Sequence, residues 1–185
     1  MSWLIEGLVW SLFHIVPVII GLIIFSIGFM NHKKISTNII LLILGVVLIF
    51  GGFFGGCYLW HETYEVSTVQ EKIITVQEWQ PSPNIHPNEN GLISITSVND
   101  LILITSDGEL FNNNENLWFS KFETRDIFNQ LKINGTYKIK YYGWRNGYTN
   151  GFPNILSVEQ VINENNTKPN NYYDYLGTRW GNGFK

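Results

Sequence analysis

Three side chains in the C-terminal half of the chain have types and a spacing suited to ligand binding. Tyr142, Trp144 and Arg145 lie in the segment Tyr141-Tyr142-Gly143-Trp144-Arg145. An arginine guanidinium donates from a planar fork that matches carboxylate and phosphate groups. One interpretation is therefore an anionic ligand held by Arg145 together with Tyr142. The structural interpretation, which we favour, has Gly143 bending the chain, Trp144 filling the core and Arg145 bonding backbone carbonyls or a carboxylate of the adjacent loop.

Residues for catalysis, metal binding or a cofactor form no recognisable set in the sequence. The chain has no GxSxG, no HExxH, no phosphate-binding glycine loop and no cysteine nucleophile with a base. Its four histidines are scattered, at His14, His32, His61 and His86. The spacing of His61 and His86 is not diagnostic of a metal site. We expect no catalytic residue, no metal site and no cofactor.

Charge is distributed unevenly along the 185 residues. Before Trp60 the only charged residues are Glu6, Lys33 and Lys34, whereas ten Lys and Arg and fourteen Asp and Glu follow it, a net charge of −4. This asymmetry is typical of a membrane segment followed by a soluble domain. An acidic soluble domain lacks the basic face that releases counterions from phosphates, so we expect no nucleic-acid partner. The single cysteine, Cys57, excludes an internal disulfide.

Two uncharged apolar runs, over 8–30 and 38–60, predict a transmembrane helical hairpin over 1–60 with helices at about 4–30 and 38–60. Lys33 and Lys34 lie in the short link between the runs, and basic loops stay in the cytoplasm. The N-terminus and the C-terminal domain are then predicted outside the cell, with the lipid bilayer as a partner. Aromatic residues suited to the outer interface are Trp3, Trp10, Tyr58 and Trp60.

The second apolar run contains two overlapped pairs of glycines, Gly51 with Gly55 and Gly52 with Gly56. Glycines four residues apart allow another helix backbone to approach closely. The functional interpretation is a seam for a second copy of the chain or another membrane protein. The alternative, which we favour, is packing against the first helix of the same chain.

After Trp60 the pattern changes to alternating β-forming residues, which predicts a soluble domain over 61–162. We predict strands over 64–69, 72–79, 92–98, 101–105, 109–111, 136–144 and 154–162, and a helix with Thr124 as its N-cap. The fold class predicted is a mainly β (α+β) domain: a five-stranded OB-like barrel with one helix between strands 3 and 4. An Asn-rich and aromatic-rich tail over 163–185 follows. One interpretation is that it packs along the domain or the membrane surface; the interpretation that we favour is a loosely packed tail.

Two segments carry a resemblance to a known family. They are Tyr141-Tyr142-Gly143-Trp144-Arg145 with the later Phe152-Pro153-Asn154 and Ser157-Val158, and the upstream Trp118-Phe119-Ser120-Lys121-Phe122. The pattern resembles uncharacterised membrane-anchored proteins of bacteria and their phages, classed as a domain of unknown function. The resemblance covers roughly 64–161 and implies a hydrophobic anchor before a small β domain. This chain departs from it by a second apolar run and by the Asn-rich tail, and the resemblance implies no reaction.

Together these features predict a non-enzymatic, membrane-tethered binding or interaction module that lies outside the cytoplasm. The first alternative is a structural subunit of a larger membrane complex, assembled through the glycines of the second apolar run. The second and weaker alternative is a hydrolase of the cell envelope.

Overall fold

The structure, a computed structural model, describes residues 11–30, 35–145, 151–175 and 179–180. The chain divides into two compact units, Met1–Ser67 and Thr68–Lys185. The predicted interfacial residues Trp3 and Trp10 and the loop lysines Lys33 and Lys34 lie outside the described residues.

The first unit is helical. A π-helical turn, Ser11–Ile15, leads into helix α1, Val16–Met30, and helix α2 runs over Ile35–Trp60. A π-helical turn, His61–Glu65, and a 3₁₀ turn, Val66–Thr68, continue α2. Within the part of the chain that the structure describes, the resulting helix, Ile35–Thr68, is the one long and apolar enough to cross a membrane. Helix α1 is apolar as well but shorter.

Small residues bring α1 and α2 together in an antiparallel arrangement. A Cβ added to Gly21 would lie 2.9 Å from the carbonyl oxygen of Gly45, and one added to Gly28 would lie 2.9 Å from Leu41 Cβ. A Cβ added to Gly52 would lie only 2.5 Å from Pro17 Cβ. From Pro17 to Gly28 along α1, the partners on α2 run in the opposite direction, from Gly52 to Leu41, so the two helices are antiparallel. Side chains larger than hydrogen at these glycines would therefore push the two helices apart.

The predicted strand over 64–69 is wrong, because residues 64–68 extend the helix. Thr63 Oγ1 donates to the carbonyl of Leu59 at 2.6 Å, and Ser67 Oγ donates to the carbonyl of Thr63 at 2.6 Å. Such bonds to the preceding turn keep hydroxyl side chains compatible with a helix. His61 Nδ1 and Glu65 Oε2, four residues apart and both buried, lie 2.7 Å apart and join consecutive turns.

The second unit is built around a closed five-stranded sheet. Its strands are β1, Gln70–Pro81; β3, Leu101–Thr105; β4, Leu110–Asn112; β5, Thr136–Tyr142; and β6, Asn154–Asn163. They pair in the order β1-β3-β4-β6-β5, and β5 pairs back with β1. Helix α3, Thr124–Gln130, connects β4 to β5. A helical N-terminal part followed by a mainly β domain with a five-stranded sheet is thus confirmed.

Strand β1 pairs with both β5 and β3 and thereby closes the sheet. Its first half pairs with β5 from Gln70 to Thr75, and its second half pairs with β3 from Val76 to Pro81, with a bulge between Val76 and Glu78. A bulge bends and twists a strand, which lets one strand contribute to two parts of a curved sheet. Strands β4 and β6 meet through a single parallel pair, Asn112 with Asn154.

The interior of the sheet is a continuous apolar core. Alternate residues of β5 point inward, as predicted: Tyr137 and Ile139 are fully buried. Helix α3 covers the core with Phe128, whose ring lies 5.0 Å from that of Trp79. Other members of the core are Ile74, Val76, Ile95, Leu101, Leu103, Phe111, Ile127, Leu131 and Ile155. Burying side chains of this size is the main stabilising contribution to the domain.

Two predicted elements differ from the structure in this unit. Of the predicted strand over 92–98, the part that forms a strand is β2, Ile93–Ser94, which pairs with β7, Arg179–Trp180, in a separate two-stranded sheet. The rest turns because the Asp100 carboxylate accepts from the backbone N–H groups of Thr96 and Ser97, at 2.7 and 2.9 Å. Thr124 begins α3 instead of capping it, since the N-cap position is Glu123.

The C-terminal segment packs on the domain as far as the short helix α4, Tyr172–Tyr175. Asn170 Nδ2 donates to the carbonyls of Phe128 and Leu131 at 2.6 and 2.7 Å. These bonds supply hydrogen-bond donors to carbonyl groups at the C-terminal end of α3, which have no partner within the helix. The ring of Tyr175 lies 5.4 Å from that of Phe128, edge to face. Asn170 and Tyr175 of the tail thus contact the domain, while 176–178 and 181–185 lie outside the described part.

Candidate functional site

Strand β5 ends at Tyr142, and Gly143 then turns the chain. Gly143 has φ +85°, a conformation that side chains with a Cβ rarely adopt, and its N–H donates to Thr68 Oγ1 at 2.9 Å. The turn interrupts the alternation of the strand, and the following residues, Trp144 and Arg145, both line the same groove. Gly143 is thus the local reason why these two side chains lie together beside the sheet.

Beside this turn lies an open groove of about 390 Å³. Aromatic and apolar groups form much of its wall, and a few polar side chains converge on it. Its lining consists of Gln70, Gly108, Glu109, Leu110, Phe111, Tyr141, Gly143, Trp144, Arg145 and Pro153. The volume and the mixture of apolar wall and few polar groups are those of small-ligand sites. Two of the three predicted ligand-binding residues, Trp144 and Arg145, line it.

Arg145 is exposed at the groove and held in place by two contacts. Its guanidinium carbon lies 4.1 Å from the centre of the Phe152 ring. Its Nη1 donates to the carbonyl of Gly151 at 3.2 Å. Stacking on the ring and bonding the carbonyl fix the plane of the guanidinium. A guanidinium with a fixed plane loses little freedom when it binds an anion.

A group of paired charges adjoins the groove through Glu109, which is one of its lining residues. Lys72 Nζ lies 2.7 Å from Glu109 Oε1 and 3.0 Å from Asp107 Oδ2. The hydrogen bond with Glu109 is the main cause that raises the pKa of Lys72. The Thr105 hydroxyl, and next Lys72, lower the pKa of Asp107. Both shifts favour the charged forms of Lys72 and Asp107, and Arg145 is the basic side chain among the residues that line the groove.

Trp144 does not fill the core, which differs from the structural interpretation of the sequence. Its side chain is half-buried and lines the groove. The core position beneath the sheet end is occupied by Phe111, whose ring lies 5.1 Å from that of Tyr141 in an edge-to-face arrangement. An indole face at a groove wall offers a flat apolar surface to a ring of a ligand.

Tyr142 is directed elsewhere and does not line the groove. Its hydroxyl oxygen accepts from Asn116 Nδ2 at 2.8 Å and from Asn154 Nδ2 at 3.2 Å. Its ring lies 5.2 Å from that of Phe119. The structure thus separates Tyr142 from Trp144 and Arg145 and places it in a polar cluster beneath the loop that precedes α3.

The same cluster contains a buried lysine that the sequence did not single out. Lys121 is 3 % exposed, and its Nζ donates to the carbonyl of Ile155 and to Asn154 Oδ1, the latter at 3.4 Å. Burial lowers the pKa of Lys121 to about 7, against the opposing attraction of Glu115 and Glu123. No carboxylate of the described part of the chain contacts the Lys121 ammonium, which is unusual for a buried lysine. No pattern in the sequence signals it, because the burial arises from the contact with β6.

A second open cavity, of about 500 Å³, lies between α3 and β6. Its charged lining includes Asp126, Glu159, Glu164 and Lys132, of which Lys132 Nζ lies 2.7 Å from Glu164 Oε2. None of the predicted site residues lines this cavity. It is larger than the groove beside Trp144, but it lacks aromatic groups that could hold a ligand.

The remaining candidate residues are widely spaced. Among the described residues, no three His, Cys, Asp or Glu side chains are grouped as a metal ion would require. His61 pairs with Glu65 in the helical unit, and His86 lies in the loop between β1 and β2.

The four candidate glycines of the second helix divide into two faces. Gly52 meets Pro17 of α1, and Gly56 is buried. A Cβ added to Gly51 or Gly55 would have no described atom within 4 Å. The predicted packing against the chain's own first helix thus involves Gly52, whereas Gly51 and Gly55 lie on a separate, open face.

Comparison with known protein families matches part of the chain. The model of a family described as "Protein of unknown function (DUF1523)" matches residues 117–176, less than half of the chain. The matched segment includes Lys121, the turn at Gly143 and Arg145. The match fits the resemblance to a domain of unknown function. No curated protein and no solved structure matches the chain.

Proposed function

We propose that the protein is a membrane-tethered binding module without catalytic activity, whose soluble domain lies outside the cytoplasm. The observation that carries the proposal is the groove beside the β5 end, where Trp144 supplies a flat apolar face and Arg145 a positioned guanidinium. The ligand proposed has an anionic group for Arg145 and a ring or apolar face for Trp144.

The tether is the helical unit. We infer two membrane spans, of which α2 meets the requirement of length and apolar composition by itself. The side chains of α1 and α2 that face away from the helix pair are large and apolar, among them Ile23, Phe29, Ile43 and Phe54. Hydrocarbon is the environment in which such a surface is stable.

The orientation proposed follows from Lys33 and Lys34 in the link between the spans. Basic residues in short loops are retained in the cytoplasm, so the link lies inside and both flanking ends lie outside. The binding domain then faces the cell envelope, where its ligand would be found.

The soluble domain is proposed to be OB-like. In chain order its five sheet strands pair as first-second-third-fifth-fourth and back to the first, with the helix between the third and fourth strands. Folds of this kind bind ligands with the face of the second and third strands and with the loop between the fourth and fifth. The groove is lined by the third strand, at Leu110 and Phe111, and by Trp144 and Arg145 of that loop.

The test is ligand binding by the full chain in lipid nanodiscs. The probes are glucuronate, polygalacturonate and an extract of anionic polymers from the native cell envelope, each titrated while the melting temperature is recorded. We expect at least one probe to raise the melting temperature, and Arg145→Gln and Trp144→Ala each to abolish that shift.

Lys138→Gln is the matched control, because Lys138 lies on β5 and pairs with Glu71 outside the groove. It should leave the ligand-induced shift unchanged. A shift that persists in Arg145→Gln, or the absence of a shift with every probe, would refute the groove as a site for an anionic ligand.

A second candidate function is that of a structural subunit in a membrane complex. The observation that favours it is the open face of α2 at Gly51 and Gly55, which are spaced as in helix-packing seams. Gly51→Leu with Gly55→Leu should then release the chain from a high-mass species on a native gel. Gly52→Leu is the contrasting variant, because it clashes with Pro17 inside the hairpin. An unchanged native-gel pattern in the Gly51 and Gly55 variant would rule out this seam.

A further inference from the structure

A short hairpin before α3 exposes large apolar side chains. Asn116 and Lys121 pair as an isolated antiparallel bridge, with Asn116 N donating to the Lys121 carbonyl at 3.0 Å and Lys121 N to the Asn116 carbonyl at 2.9 Å. We name residues 116–121 the apolar hairpin. Leu117 is 72 % exposed and Trp118 is 42 % exposed, and Phe122, directly after the hairpin, is 55 % exposed. Adjacent exposed residues of this size mark a contact surface.

The apolar hairpin is rigid and fixed to the domain. The Lys121 ammonium is buried against the carbonyl of Ile155, and Asn116 Nδ2 donates to the Tyr142 hydroxyl at 2.8 Å. Phe119 packs its ring on that of Tyr142. The exposed side chains are therefore presented by a preformed structure, and binding through them would require little ordering of the chain.

The backbone of the apolar hairpin satisfies nearly all its own N–H groups. Trp118 N and Phe119 N donate to Asn116 Oδ1 at 2.9 and 3.1 Å, and Ser120 N donates to the Leu117 carbonyl at 3.1 Å. With the two bridge bonds, five of the six N–H groups from Asn116 to Lys121 have partners inside the hairpin. Such a loop offers almost no donors to a neighbouring strand, but it can enter an apolar medium at little cost in unsatisfied backbone groups.

The connection between the domain and the proposed membrane span is short. Val69 alone separates Thr68, the last residue of the helix long enough to cross a membrane, from Gln70, the first residue of β1. A domain on so short a connection encounters the bilayer at a high effective concentration. Leucine, phenylalanine and tryptophan are the residues that partition into the boundary between headgroups and acyl chains.

We propose that the apolar hairpin, with Phe122, inserts into the boundary of the lipid bilayer and so docks the domain on the membrane surface. The contact depends on apolar area and not on anionic lipid, because Glu115 and Glu123 flank the hairpin and its one basic side chain, that of Lys121, is buried. This inference rests on the membrane span of the proposed function, and it is independent of the ligand groove.

The test places a fluorescent reporter on the hairpin of the full chain. In a Cys57→Ser background, Leu117→Cys is labelled with a polarity-sensitive nitrobenzoxadiazole dye and the protein is reconstituted into phosphatidylcholine vesicles. Leu117 is mostly exposed, so the substitution leaves the core intact. The matched control is Ser106→Cys, an exposed position in the turn between β3 and β4.

We expect the label at position 117 to show a blue-shifted emission, quenching by nitroxide-labelled lipid and loss of quenching by aqueous iodide. The label at position 106 should remain water-exposed. Adding Trp118→Asp should return the label at 117 to the water-exposed state, and adding phosphatidylglycerol to the vesicles should change nothing.

Equal exposure of the two labels would overturn the inference. A blue shift at position 117 that grows with the protein-to-lipid ratio without quenching by labelled lipid would also overturn it, because it would indicate contact with a second copy of the chain. A blue shift that requires phosphatidylglycerol would overturn it as well. Flotation of the chain with the vesicles distinguishes the membrane span from the docking: a chain that does not float contradicts the span, whereas a chain that floats with a water-exposed label contradicts the docking alone.

Discussion

Replacing Lys121 by methionine should change the free energy of unfolding by an amount that depends strongly on pH. Methionine has a similar length and no charge, so it removes the buried ammonium without opening a large cavity. In the folded protein the pKa of Lys121 is lowered to about 7, whereas the pKa of an exposed lysine has its ordinary value of 10.5. Between these two values the unfolded chain binds the proton and the folded chain does not, so the stability of the wild-type protein increases as the pH rises from about 7 to about 10.5.

The size of the effect follows from the pKa difference and the lost hydrogen bond. A pKa unit corresponds to about 1.4 kcal/mol, so the cost of burying the charge reaches about 5 kcal/mol below neutral pH as an upper bound. The substitution leaves the carbonyl of Ile155 without its donor, which costs about 1–3 kcal/mol at every pH. The Lys121→Met variant should therefore be more stable than wild type by about 2–4 kcal/mol near pH 6, and no more stable, or less, near pH 10.

The assay is urea unfolding of the full chain in detergent micelles, followed by near-ultraviolet circular dichroism at several pH values. Lys168→Met is the control, because Lys168 is exposed and the same substitution there removes no buried charge. A free-energy difference between wild type and Lys121→Met that is constant from acid to alkaline pH would contradict the expected linkage. It would mean that Lys121 keeps an ordinary pKa in the folded protein.

Three further substitutions test separate parts of the domain. Leu103→Ala, at a fully buried core position of β3, should lower the free energy of unfolding by about 2–5 kcal/mol in urea titrations. Gly143→Ala places a Cβ at φ +85° and should cost about 1–2 kcal/mol, measured in the same way; an unchanged stability would contradict the strain at the turn. Tyr137→Phe removes the hydroxyl that donates to Glu164 Oε1 at 2.8 Å, and should lower the melting temperature by a few degrees in calorimetry.

Sequence periodicity predicted the strands in which buried and outward-facing side chains alternate regularly. In β5, Tyr137 and Ile139 face the core while Lys138 and Lys140 face outward, and the alternation in the sequence alone indicates this. It failed over 64–69, where β-forming residues continue a helix, because an established helix can propagate through residues of modest propensity. It failed again over 92–98, where hydrogen bonds to the Asp100 side chain decide the conformation.

The candidate site could be predicted only in part. Trp144 and Arg145 stand out in the sequence, and the structure places both at the groove. Tyr142 lies away from the groove that Trp144 and Arg145 line because the chain makes a left-handed turn at Gly143. The ion pair between Lys72 and Glu109 joins residues that are far apart in the sequence. Side-chain directions after a turn and pairings across a sheet are set by tertiary structure, which local patterns do not contain.

Protease accessibility in intact cells is the direct test of a binding domain held outside the cytoplasm by membrane spans. The full chain carries an epitope at its C-terminus, and cells are treated with a protease that does not cross the membrane. We predict loss of the epitope from intact cells, with a cytoplasmic marker protein left whole. An epitope that resists digestion until the membrane is permeabilised would contradict the orientation inferred from Lys33 and Lys34 and would place the groove in the cytoplasm.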